Sequence, residues 1–303
     1  MIGENAFRQY LRGRLTPEPV ERQPSMIEQF RRSLGAAIRL SALIAVSLGL
    51  PGCAGVDPFG VPDRAATMEM QTQLGQGQFG PALRLARAAR QAGDYPSAIN
   101  LYRNVAGTTS PDPVLLVELG DTLVDAGTPD DAIDVYWRVL GLQKVDPKSG
   151  ARLGAVRGLA RAYLMLGELT TSLEHWNEAY AMAPQDAGAL VGQGVVLDML
   201  GRHAEAQAAY RAVLTETPRD VPARNNLALS LALTGHYPEA LEILTPMARS
   251  SMATPRIRQN LALIYGLKGD QDRATAMSRM DLDQQTTEAN LKFFEVVRGG
   301  ATD

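Results

Sequence analysis

The sequence predicts an all-α protein: a solenoid of six antiparallel helix pairs over residues 79–282, closed by one more helix within residues 283–303. Three observations carry that expectation. Glycines return at Gly93, Gly127, Gly167, Gly201, Gly235 and Gly269, at spacings of 34, 40, 34, 34 and 34 residues. Small residues stand at fixed offsets on both sides of each glycine. Hydrophobic content is ordinary at 45% and aromatic content is low at 6%, with alanine and leucine recurring throughout, as suits helices packed at close range.

Seven residues before each glycine stand Ala86, Gly120, Ala160, Gly194, Ala228 and Ala262. Five residues after come Ala98, Ala132, Ser172, Ala206, Ala240 and Ala274. Antiparallel helices that cross closely need small side chains where their backbones approach, and large ones beside the crossing. Leu85, Leu119, Leu159, Gln193, Leu227 and Leu261 supply one large set, eight residues before the glycine. Tyr102, Tyr136, Trp176, Tyr210, Leu244 and Ser278 hold the position nine residues after it. Each glycine ends a first helix, because it enters the left-handed region without a Cβ penalty. Pro184 and Pro218 close two second helices, because proline lacks the N–H and clashes with the preceding turn. Six extra residues between the second and third glycines predict a longer turn around 146–150. Leu291, Phe294 and Val297 form one stripe on a terminal helix over 285–298, which covers the end of the last pair.

This 34-residue pattern resembles the tetratricopeptide repeat family. The resemblance implies a right-handed superhelical solenoid whose first helices line a concave, protein-binding groove. It covers residues 79–282, with Gln193 and Ser278 departing from the pattern.

Ahead of the repeats lies a different kind of segment. Residues 40–50 are an apolar run preceded by Arg31, Arg32 and Arg39. The run is shorter than the roughly 20 residues that span a bilayer, and it matches the basic and apolar regions of a secretory signal peptide. Leu50-Pro51-Gly52-Cys53 resembles the lipobox of bacterial lipoproteins. That resemblance implies a signal peptide over 1–52, with Met26 as an alternative start, and diacylglycerol on Cys53, the lone cysteine. Several acyl chains, at roughly 0.8 kcal/mol per buried methylene, anchor stably where one does not. Ala54 after the cysteine implies sorting to the periplasmic face of the outer membrane. Residues 53–78, rich in Gly, Pro and Gln, predict a lipidated flexible tether with a reach on the order of 25–30 Å.

The sequence points to no catalytic residue, cofactor or metal site. A lone cysteine makes neither an internal disulfide nor a cysteine-based metal site. His203 and His236 fall in turns after repeat glycines, where side chains are usually solvated, and His175 sits beside Trp176 without a metal-spaced partner. Asp130-Asp131 opens a second helix, where N-capping and dipole complementarity explain it. Residues 53–303 hold 23 of the 30 bases and 29 of the 33 acids, so this part is acidic and nucleic acid is not an expected partner.

The inward positions of the first helices divide the array. In the first three pairs they are charged: Arg84, Arg87 and Arg90, then Glu118, Asp121 and Asp125, then Arg157 and Arg161. The signs alternate, as lateral ion pairing between adjacent helices requires. In the last three they are Val191, Val195 and Met199, then Asn226, Leu229 and Leu233, then Asn260, Leu263 and Leu267. An apolar surface with asparagines at one place in successive repeats suits a bound peptide, the amides meeting its backbone. Filling by the terminal helix, or by closer packing, is the alternative.

The layout of lipobox, short tether and six repeats, with the ending Glu288-Ala289-Asn290-Leu291-Lys292-Phe293-Phe294-Glu295-Val296-Val297-Arg298, resembles the TadD lipoproteins of the tight-adherence (Flp) pilus system. The resemblance implies a scaffold in pilus assembly and secretion, with the secretin or other assembly components as partners. Two alternatives stay open: a general envelope adaptor for cell-wall hydrolases or outer-membrane protein insertion, and an enzyme whose site a partner completes.

Overall fold

A computed structural model describes residues 80–108, 112–142, 146, 149–251 and 253–300. The leader (1–52), Cys53 with the tether (53–78) and part of the long turn (143–145, 147–148) lie outside the described residues. Within them the chain is all-helical, as expected. Six helix pairs follow in order: α1 (Gly80–Gln91) with α2 (Tyr95–Thr108), α3 (Pro113–Asp125) with α4 (Pro129–Gly141), and α5 (Gly150–Met165) with α6 (Leu169–Met182). Then come α7 (Ala187–Met199) with α8 (His203–Glu216), α9 (Val221–Leu233) with α10 (Tyr237–Arg249), and α11 (Pro255–Lys268) with α12 (Gln271–Ser278). A single helix, α13 (Gln284–Gly300), closes the array.

The helices form two compact units, which meet in sequence at Ala189 and Leu190 within α7. In the first, α3 packs on α2, α4 and α5. In the second, α9 packs on α8, α10 and α11, and α13 lies on α11 and α12.

All six repeat glycines are left-handed, with φ between 75° and 91°, and no other residue among those described has positive φ. The residue after each one donates its N–H to the carbonyl five residues back, as in Thr128 to Leu123 (2.9 Å) and His236 to Leu231 (2.8 Å). These bonds satisfy first-helix carbonyls that would otherwise end unpaired. Starts are fixed equally locally: Asp112, Ser149, Asp220, Thr254 and Asp270 each accept from a backbone N–H of the helix that follows. Asp130 and Asp131 stand in the first turn of α4, where they complement its dipole, but the N-cap there is Thr128.

The small residues sit where the helices cross. Each alanine of both sets is fully buried, as is Ser172, whose hydroxyl donates to the Ala160 carbonyl at 2.7 Å. At Gly120 and Gly194 an added Cβ would stand 2.5 Å from Cε1 of Tyr136 and Tyr210. The expected large set is buried at Leu119, Leu159, Leu227 and Leu261, whereas Leu85 is 59% exposed. No described helix precedes α1.

The buried tyrosines do more than fill space. Tyr102 donates its hydroxyl to Glu118 (3.0 Å), Tyr136 to Asp121 (2.7 Å) and Tyr210 to Asp198 (3.0 Å). Burial, and then the neighbouring carboxylate charge, pushes all three phenols above the usual tyrosine range. An unfolded chain ionises first, near pH 10. Stability is therefore fully present below about pH 10 and falls as pH rises above it. In an alkaline titration these phenolates are expected to appear together with the loss of helical circular dichroism. Three phenols ionising while the helices persist would contradict it.

Candidate functional site

Arg87, Arg90, Glu118, Asp121, Asp125 and Arg161 of the first unit pair with one another. Arg87 on α1 makes a two-pronged contact with Glu118 on α3, Nε donating at 2.9 Å and Nη2 at 2.7 Å. Arg90 donates to Asp125 at 2.7 Å. From the other side, Arg161 on α5 lies 3.4 Å from Asp125 and 3.6 Å from Asp121. Arg157 lies 3.4 Å from Asp186. The alternating signs thus correspond to lateral ion pairing between neighbouring first helices. Burial pulls the Arg87 and Arg90 guanidiniums down, but their acidic neighbours outweigh it and hold both above the ordinary arginine value. Glu118 is buried, so removing it would strand Arg87 and Tyr102. The surface pair Arg103–Asp131 (3.5 Å) contributes roughly 0–1 kcal/mol.

The second unit is built differently. Its charge centre is Asp198, 1% exposed on α7. One carboxyl oxygen accepts from Ser230 Oγ (2.7 Å) and pairs with His203 Nδ1 (2.8 Å), and the other accepts from Tyr210. A carboxylate only accepts, so this geometry calls for the proton on Nδ1. The turn histidine expected to be solvated is thus tied into a buried network joining α7, α8 and α9. His236, by contrast, is exposed and contacts Thr234 Oγ1 at 2.9 Å. His175 is a buried member of an aromatic cluster, stacked on Tyr163 at 5.5 Å and edge-on to Trp137 at 5.9 Å.

Of the nine residues expected to line a peptide groove, Val191, Val195, Asn226, Leu229, Asn260, Leu263 and Leu267 are buried, and Met199 and Leu233 are partly buried. They do not present a freely open surface. The expected asparagines meet through a third that the sequence pattern passed over. Asn260 Nδ2 donates to Asn225 Oδ1 at 2.8 Å, and Asn225 Nδ2 donates to Asn226 Oδ1 at 3.1 Å. The amide chain ends on Asn226 Nδ2, which is buried without an acceptor. Asn260 is therefore committed to its neighbour, and the open donor belongs to Asn226. The Asn225–Asn226 doublet was the available signal: of two adjacent buried amides on α9, one bonds both its neighbour and the next repeat.

Helix pairs with left-handed glycine turns, small crossing residues and a terminal cover define a repeat-built binding scaffold. The family model described as tetratricopeptide repeat matches residues 83–149, 157–221 and 193–245, more than half of the chain. The chain belongs to the tetratricopeptide repeat family. Its fold is similar to that of a tetratricopeptide repeat protein from Parabacteroides merdae, with a TM-score of 0.59 and 15% identity over 85% of this chain and 99% of that one. It is also similar to a thermophilic protein of this family from Thermus thermophilus, with a TM-score of 0.51 and 24% identity over 61% of this chain and 98% of that one. At these identities the likeness is one of fold. By sequence the chain is 32% identical over 139 residues to "Cellulose synthase 2 operon protein C" of Komagataeibacter xylinus. The match takes in 46% of this chain and 10% of that protein, so the chain spans about a tenth of that relative.

Proposed function

We propose that this chain is a scaffold, not an enzyme, held by lipid on Cys53 at the periplasmic face of the outer membrane. There it gathers protein components of a tight-adherence (Flp) pilus secretion system, with the secretin as first candidate. The observation that carries the scaffold reading is the array itself: thirteen described helices given over to packing, with inner polar groups paired helix to helix. The lipobox-like Leu50-Pro51-Gly52-Cys53 supports the address, and the closing 288–298 segment supports the pilus. Partner contact is placed on the first helices of the second unit, where the buried, unpaired Asn226 amide would have to be uncovered to meet a ligand.

A crosslinked pull-down from membranes tests this. Wild type is expected to recover secretin or pilus components, and Asn226→Ala with Asn260→Ala at least tenfold less. Equal recovery by the double variant would remove the proposed contact, and recovery of no secretion component would remove the pilus. Cys53→Ser is expected to abolish labelling by a palmitate analogue and to release the protein from membranes. The match to the cellulose synthase operon protein favours a second reading, a scaffold serving cellulose synthesis. The same pull-down separates the two by what it recovers.

A further inference from the structure

In the pairs that carry an aromatic nine residues after the glycine, the second helix of that pair supplies it: Tyr102, Tyr136, Trp176 and Tyr210, all fully buried. The last pair has Ser278 there, also buried, and a ring of α13 packs elsewhere on its first helix. Phe294 of α13 lies directly on Gly266 of α11: an added Cβ at Gly266 would stand 2.4 Å from its Cδ2 and 2.8 Å from its Cβ and Cγ. One turn further along α13, Arg298 reaches the C-cap of α11, where a Cβ on Gly269 would stand 2.7 Å from its Nη1. A cation there complements the carbonyl end of the α11 dipole.

The seam that holds α13 is poorly bonded. Gln271 Oε1, Ser278 Oγ and Thr287 Oγ1 are all buried without a hydrogen-bond partner. The α12-to-α13 link among side chains is an exposed contact, Gln271 Nε2 donating to Glu295 Oε1 at 3.3 Å. Gln271, which meets Glu295 of α13, and Thr287 on α13 itself give up hydration when α13 is docked and regain it when α13 lifts, so docking is opposed at two points. Against this α13 buries the side chains of Phe294, Val297 and Thr287. Elements with few buried apolar groups and solvent-exposed links are the ones that open below global unfolding.

We propose that α13 is a self-bound occupant of an exchangeable site on α11, which opens locally and yields to a partner helix of the same chemistry. That chemistry is an amphipathic helix with an aromatic residue followed four positions later by arginine. The ring takes the slot over Gly266 and the guanidinium takes the α11 terminus. This proposal does not depend on which envelope assembly the scaffold serves.

Native-state hydrogen exchange on the full chain, with a labelled synthetic peptide of residues 284–300, tests it. Amides of α13 are expected to exchange at least tenfold faster than those of α9 and α11, with the latter unaffected. The peptide is expected to bind the Phe294→Ala chain one to one, and wild type at least tenfold more weakly. Adding Gly266→Val to Phe294→Ala is expected to abolish binding. Exchange of α13 in step with α11, or no peptide binding by a folded Phe294→Ala chain, overturns the proposal. Should Phe294→Ala fail to fold, Thr287→Val decides: by removing one orphaned hydroxyl it slows α13 exchange alone, and no change in α13 overturns the idea.

Discussion

Gly158→Ala is expected to lower the stability of the first unit by about 3 kcal/mol, the upper end of what overpacking a well-filled interior costs. Tyr136 is wedged between two first helices, with Gly120 on one side and Gly158 on the other. A Cβ at Gly158 would stand 2.1 Å from Tyr136 Cζ and 2.4 Å from Cε1, closer than atoms can approach. Ring ends often swing aside at little cost, but this ring is fully buried and its hydroxyl is held by Asp121 at 2.7 Å. Moving it breaks that bond and leaves a buried phenol searching for another. Tyr136→Leu in the same chain should recover part of the loss, since it removes the atoms that collide. Such non-additivity is expected only of residues in contact. Both tryptophans, Trp137 and Trp176, lie in the first unit. Denaturant unfolding followed by tryptophan fluorescence therefore reads this unit, and an unmoved midpoint in Gly158→Ala would show that the wedge is not tight.

Asp198→Ala is expected to cost about 3–5 kcal/mol, because it removes the shared acceptor of a buried network. Tyr210 and Ser230 lose the oxygen they donate to, and His203 loses its partner. Asp198→Asn keeps the shape and one acceptor, and should cost about 1–3 kcal/mol, within the range for a single unmade buried hydrogen bond. Stability in a repeat array is summed from pairs and their nearest neighbours, so damage to one pair is felt locally first. The helical circular dichroism transition should thus move to lower denaturant while the tryptophan transition lags behind it. Full stability in Asp198→Ala would mean that the network contributes nothing net.

Why the two variants behave as they do also marks where sequence reasoning stops. The six turn glycines were legible because the left-handed conformation is a property of the residue itself. The crossing alanines were legible because steric room at a helix crossing repeats with the backbone. The alternating charges on α1, α3 and α5 were legible in sign, since Arg87 and Glu118 stand 31 residues apart, close to one repeat. Gly158 was not. It lies outside the repeated small positions, and only the ring of Tyr136 from the preceding pair gives it a role. Asp198 was equally silent: Ser230 lies 32 residues away, and neither residue belongs to a recurring set. The asparagines were legible by position, but the bond from Asn260 to Asn225 was not, because it depends on how α9 and α11 approach each other.

By itself, then, the sequence determined the number of pairs, the turns between them, the covering helix and the contrast between charged and uncharged inward positions on the first helices. These follow from local backbone chemistry and from a period that neighbouring helices must share. The tertiary structure alone decided which hydroxyl meets which carboxyl group, which asparagine amide is left unpaired, and that Phe294 lies on Gly266. Such choices depend on the rotation and approach of helices a repeat or more apart, and small differences there redirect a hydrogen bond without altering the pattern that the chain spells.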